Sequence, residues 1–173
     1  MKIIIAVILF FNTTFIFSQI SIEVVNKLFY NIPLDTSFRN SFDFIKKSDQ
    51  FEKLIYTHDS LDYLFTEIKN PLFLKCKPIN AYCILLKDKF RHNLSINLRY
   101  KSNKKSSDEY QELKKILDIE ACKSNNIIIK EKAEGWTEYN ILSNINAILT
   151  IYKETESDLN GNKYKVVTII IHY

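Results

Sequence analysis

Two apolar runs within the stretch Asn146 to Tyr173 flank the dipeptide Asn160-Gly161, and together they predict a long β-hairpin. Both central residues of a two-residue type I′ turn need positive φ, which asparagine and glycine tolerate best. A turn centred there sets Asp158 opposite Lys163 and Glu156 opposite Lys165. Such cross-strand charge pairs contribute about 0.2–1 kcal/mol each relative to alanines. In that register Tyr152, Ile148, Ile169 and Ile171 share one face, and Leu149, Ile151, Val166 and Ile170 share the other. Strands apolar on both faces belong at the covered centre of a sheet. The end of the chain is therefore expected to be core, with Ile151, Ile169 and Ile170 buried among helices.

The chain can supply such a core. It has 173 residues, 46% of them hydrophobic and 25% charged, which suits one globular domain or two small ones. Two glycines and three prolines leave little room for flexible linkers, while ten tyrosines and twelve phenylalanines provide aromatic mass for packing. The formal charge is +4, with lysines and arginines spread among 20 acidic residues. A nucleic-acid binder concentrates its basic residues on one face or helix, so nucleic acid is not an expected partner.

Residues 1–18 read as a signal peptide: Lys2, an uncharged run from Ile3 to Phe11, and Phe17-Ser18-Gln19 at the end. The run is too short for a spanning helix, which needs about 20 apolar residues. No cysteine follows, so a free mature chain starting near Gln19 is expected, in the periplasm or outside the cell, with no transmembrane segment after leader removal. The leader and the Ile-, Lys- and Asn-rich composition resemble the exported proteins of AT-rich Bacteroidota-type bacteria.

The mature chain reads as α+β, amphipathic helices packed on antiparallel sheet. Val24, Val25, Leu28 and Phe29 stand at helical spacing before Pro33 ends the helix. Asp35, Thr36 and Ser37 offer caps to a second helix with Phe38, Phe42 and Ile45 on one face. Phe51 to Thr57 is an expected strand, whereas Leu61, Leu64, Phe65 and Ile68 fit a helix period among the strand formers Tyr63 and Thr66, leaving both readings open. Ala81 to Leu86 and Leu94 to Tyr100 predict a hairpin whose second arm turns Ser95, Asn97 and Arg99 toward water. Ser106 and Glu109 form a capping-box pattern ahead of Tyr110, Leu113, Ile116, Leu117 and Ala121. Strands are expected at Asn126 to Lys132 and at Trp136 to Leu142, joined through Gly135 and followed by the closing hairpin.

Helix, then strands, occurs twice in this order, which suggests an N-terminal module over 19–103 and a C-terminal module over 104–173, the latter a helix followed by a four-strand meander. Two helix-plus-sheet repeats resemble the small bacterial β-lactamase-inhibitor-like proteins, which bind other proteins and have no chemistry of their own. The resemblance rests on element order and transfers no residues.

Catalytic and metal patterns are sparse. His58, His92 and His172 lack metal-ligand spacing, and neither a metal nor a cofactor is expected. His58, Asp59 and Ser60 collect triad residue types, yet consecutive residues cannot aim at one another, so a loop is the better reading. His172 reads as a polar tip beside a sheet edge. Asp108-Glu109 and Glu131 with Glu134 read as solvated carboxylates. With Gly135 and Gly161 the only glycines, no glycine-rich phosphate loop can form. Arg99, Lys101, Lys104 and Lys105 make a basic connector suited to an anionic partner. Trp136 and Tyr139 form a candidate aromatic contact, because such residues dominate interface hot spots. Cys76, Cys83 and Cys122 allow at most one intramolecular disulfide in an exported chain. The expected function is an exported, non-catalytic protein binding another protein or an envelope component. The alternative is a small secreted hydrolase with a histidine and carboxylate cleft.

Overall fold

Pro33 does follow the end of a helix. The computed structural model describes residues 23–34, 37–56, 63–87, 92–123, 127–141, 147–158 and 160–173, in which residues 23–28 form helix α1. The expected leader, His58 and its loop lie outside the described residues. Tyr30 and Asn31 both take left-handed φ near +57°, and the Asn31 amide reaches back to the Asn26 carbonyl at 2.8 Å, which closes the helix before the proline. Val25, Leu28 and Phe29 are buried. Of the three candidate caps for α2 (Phe38–Lys47), Ser37 acts: its Oγ accepts the Asn40 amide, and Phe38, Phe42 and Ile45 are buried as expected.

Eight strands then form one antiparallel sheet: β1 (Phe51–Tyr56), β2 (Tyr63–Ile68), β3 (Asn80–Lys87), β4 (His92–Tyr100), β5 (Ile127–Ala133), β6 (Trp136–Ile141), β7 (Ala147–Ser157) and β8 (Lys163–His172), with α3 (Asn103–Lys123) between β4 and β5. Their order across the sheet is β1-β2-β3-β4-β8-β7-β6-β5. The segment that fitted both periods is a strand. Leu64, Thr66 and Ile68 are buried while Tyr63, Phe65 and Glu67 are partly exposed, a period of two that the strand formers around them sustain. The sheet runs without a break through β4 and β8, whose register extends from Asn93↔His172 to Tyr100↔Lys165.

The closing hairpin is central, but its register differs from the expected one. Ser157 pairs with Lys163 and Thr155 with Lys165, and the Asp158 amide donates to the Asn162 carbonyl at 3.0 Å, so three residues separate that last bonded pair, not two. Asp158 explains the change: its Oδ1 accepts the amides of Asn160 and Asn162 at 2.9 and 2.8 Å, and its carbonyl accepts the Gly161 amide at 3.0 Å. Gly161, at φ +79°, supplies the left-handed residue that follows a type I turn in a three-residue hairpin loop. The aspartate thus serves its own turn, and the hydrogen bond that Asn162 Nδ2 donates to its Oδ2 at 2.9 Å, followed by those of the turn amides, holds its carboxyl below the usual range. Both expected charge pairs are lost. Glu156 faces Tyr164, and Lys165 donates to Thr155 Oγ1 at 2.8 Å.

The shift also reassigns faces. Ile169 and Ile171 lie with Ile151 and Leu149, while Ile170 and Val166 lie with Thr150 and Glu154. Ile151, Ile169 and Ile171 are buried in the main core, whereas Ile170 is only half-buried.

All three helices pack on one face. There α1 brings Tyr30 against Phe51 at 5.9 Å, α2 brings Ser41 Oγ to Tyr173 Oη at 3.2 Å, and α3 brings Tyr110 Oη to Thr137 Oγ1 at 2.9 Å. The capping box does not form. Helix α3 begins three residues early, at Asn103, and Ser106 Oγ donates to the Asn103 carbonyl at 2.9 Å. Glu109, expected at the surface, is fully buried. Its carboxylate accepts the amides of Leu74, Lys75 and Cys76 at 2.6, 2.9 and 2.7 Å, and so fastens the β2–β3 loop to α3. A buried carboxylate needs such donors, because an unpaired one would cost several kcal/mol of desolvation, at least about 2.

Candidate functional site on the uncovered face of the sheet

The opposite face carries none of the three helices. Its residues alternate with the core residues of the same strands: Phe65, Tyr82, Ile84, Asn97, Arg99, Thr168, Ile170, Tyr152 and Trp136 run across it from β2 to β6. Among the described residues this is a surface where large side chains stand on paired strands without a second layer from the helices.

Arg99 organises one half. Its guanidinium lies 4.6 Å from the Tyr82 ring and 5.5 Å from the Tyr164 ring, and its Nε and Nη2 donate to Glu156 Oε2 at 2.9 and 2.7 Å. The aromatic rings and the carboxylate act together, each attracting the cation, in a partly exposed setting where cation–π contacts contribute about 0.5–2 kcal/mol. Phe65 continues the aromatic row, 4.9 Å from Tyr82. Asn97, expected in water, is buried between its neighbours, as are Val166 and Thr168.

Trp136 marks the other half. Its side chain is 46% exposed and its ring lies 5.7 Å from Tyr152. The expected pairing of Trp136 with Tyr139 does not occur, because residues three apart in a strand point to opposite faces. Tyr139 is in the core, donating its hydroxyl to Asp118 Oδ1 at 2.9 Å. Burial, followed by that anionic neighbour, raises its hydroxyl above the ordinary tyrosine range. Arg99 stands on the sheet face within β4, whereas Lys101, Lys104 and Lys105 lie past the end of that strand, exposed at the β4–α3 junction.

Among the described residues, two sizeable depressions lie on the helix side. The larger, about 830 Å³, separates α3 from the β5–β6 hairpin. Its charged side chains engage one another: Lys114 meets Asp118 at 2.7 Å and Glu131 at 3.0 Å, and the bond to Asp118 is the main reason its ammonium is held above the usual range. The smaller, about 460 Å³, collects Ser37, Asp43 and His92. Those residue types suit a hydrolase, but their geometry does not form a relay. Ser37 Oγ caps α2, and His92 Nδ1, where a triad needs its carboxylate, is buried without a hydrogen-bond partner among the described residues. His92 is flanked by the rings of Phe38 and Tyr173, both 5.9 Å away. His172 sits mid-sheet at the end of β8, not at a sheet edge, with Nδ1 2.7 Å from Asn93 Oδ1.

Among the described residues no group of three or more His, Cys, Asp or Glu is arranged to hold a metal, and no helix is long and apolar enough to cross a membrane. Cys76, Cys83 and Cys122 are free thiols, half-buried, buried and exposed in that order. Sequence reasoning did not find Tyr82, Tyr152, Tyr164 or Glu156. Their signal was the alternation of the strands, which places each opposite an Arg99 or Trp136 neighbour once the register is known. No family model matches the chain, and no curated protein or solved structure is significantly similar to it, so the resemblance in element order to the β-lactamase-inhibitor-like proteins gains no support from them.

Proposed function

We propose that this chain is an exported, non-catalytic binding protein that engages a partner protein through the uncovered face of its sheet. The observation that carries the reading is the composition of that face: an exposed tryptophan beside Tyr152, and an arginine between two tyrosines, on paired strands of one sheet. Tryptophan, tyrosine and arginine are the residues that dominate interface hot spots, and holding them rigid lowers the ordering cost of association. Export rests on the leader pattern of residues 1–18.

The test is affinity capture from an envelope extract with the intact mature chain as bait. Trp136→Ala and Tyr82→Ala should each release a partner that the parent retains, and Lys130→Ala on the edge strand should not. A partner held equally by all four proteins would mean that the sheet face is not the interface.

A further inference from the structure

Between Glu67 and Asp108 the sequence has one acidic residue, Asp88, against ten basic ones. The fold gathers five of these at one end of the molecule. Lys75 and Lys77 are on the β2–β3 loop, Lys101 follows β4, and Lys104 and Lys105 open α3; all five are exposed. Glu109 brings the two segments together by accepting the loop amides, and the Ile79 amide donates to the Arg99 carbonyl at 2.8 Å. Among the described residues none of the five lysines meets a carboxylate at ion-pair distance. The Glu109 carboxylate beneath the loop is taken up by the amides of Leu74, Lys75 and Cys76, and Asp108 precedes it on α3.

Beside the lysines, Leu72 and Phe73 are 42% and 43% exposed. Their loop is not loose: the Leu72 amide donates to Tyr30 Oη at 2.6 Å, and the next three amides along the chain after Phe73 are held by Glu109. A hydrogen-bonded backbone therefore presents two consecutive exposed apolar side chains on the same loop as Lys75 and Lys77.

We propose that this end of the molecule docks on the surface of an anionic lipid bilayer, with Leu72 and Phe73 entering the headgroup layer. A lipid surface fits better than an acidic protein for two reasons. Lysine is a point charge without arginine's planar fork, and it is depleted at protein interfaces, whereas a fluid layer of phosphate headgroups demands charge without fixed geometry. Among the described residues the space that the apolar pair lines is about 10 Å³, too small to seat a protein segment, which suits partial insertion beside basic residues. The patch uses none of the residues of the sheet face, so the two surfaces act independently.

Flotation of the intact mature chain with vesicles tests this, comparing phosphatidylcholine containing about 30 mol% phosphatidylglycerol with pure phosphatidylcholine. Binding should require the anionic lipid and weaken with salt. Each lysine near such a surface is worth about fivefold, so Lys75→Gln/Lys77→Gln/Lys101→Gln together should lower partition by about 100-fold. The charge-matched control Lys47→Gln/Lys130→Gln/Lys163→Gln should change it by less than about threefold. Phe73→Ser should cost about tenfold. Unchanged melting temperatures in the patch variants keep a folding defect apart from a docking defect. Absence of binding to the anionic vesicles, an equal loss in the control, or salt-sensitive retention on polyglutamate resin without vesicle binding would each overturn the proposal, the last in favour of an acidic protein.

Discussion

Ile169 and Ile170 are neighbours in one strand with identical side chains, and the two faces of the sheet treat them differently. Ile169 is buried with Ile151 and Ile96 beneath the helices. Ile170, between Ser95 and Thr150, is half-buried on the face without helices. The covered face is held by aliphatic packing around a few partnered polar groups, as Tyr110 has Thr137 and Glu109 has three amides, while Tyr100 Oη and His92 Nδ1 have no hydrogen-bond partner among the described residues. The uncovered face is organised laterally, by contacts among side chains of adjacent strands such as Arg99 with Glu156 and Thr168 with Glu154 at 3.2 Å. Stability is thus concentrated on one face, which leaves the other free to carry recognition.

Charge insertion at the two isoleucines should separate the faces most sharply. Ile169→Asp puts an unpaired carboxylate in the core at a cost of several kcal/mol, at least about 4, against a domain stability of about 5–15 kcal/mol. Most of its population should be unfolded or melt far below the parent in thermal denaturation. Next in size is Glu109→Ala, which strands the three loop amides. An unsatisfied buried donor costs about 1–3 kcal/mol, and with water reaching part of the loop a total loss of about 3 kcal/mol is expected in urea titration. Glu109→Gln, which keeps one acceptor oxygen, should lie between the parent and the alanine variant. A change within error for Glu109→Ala would show that the clamp does not anchor the loop. The smallest effect is expected for Ile170→Asp, where the new carboxylate reaches solvent and the loss is mainly strand propensity, about 1 kcal/mol. Equal melting of the two aspartate variants would abolish the distinction between the faces.

Much of the architecture was legible because its signals are local. The periodicity of Phe38, Phe42 and Ile45, the alternation of Leu94, Ile96 and Leu98, and the apolar arms of the last hairpin all report burial directly. The hairpin register was not legible. Asn160-Gly161 is compatible with two loop lengths, and the choice was made by the Asp158 side chain, which satisfies turn amides better than it would pair with Lys163. Glu109 was misplaced for a related reason. Three residues after a serine its spacing matches a capping box, but its partners lie on a loop some thirty positions back, and only the folded chain brings them within reach. The separation of Trp136 from Tyr139 needed only the period of two. The lysine patch had its own signal, a long interval nearly free of acidic residues, which a whole-chain charge balance conceals.

Strand β8 lies at the centre of the sheet, with β4 on one side and β7 on the other, although it is the last strand in the chain. During synthesis, therefore, β1 to β4 and β5 to β7 emerge first as two partial meanders with unpaired inner edges at β4 and β7. Neither edge can be closed until residues 163–172 have left the ribosome. Such edges are sites for pairing with the wrong chain. The order of elements thus closes both inner edges in a single late step, when β8 is laid between β4 and β7.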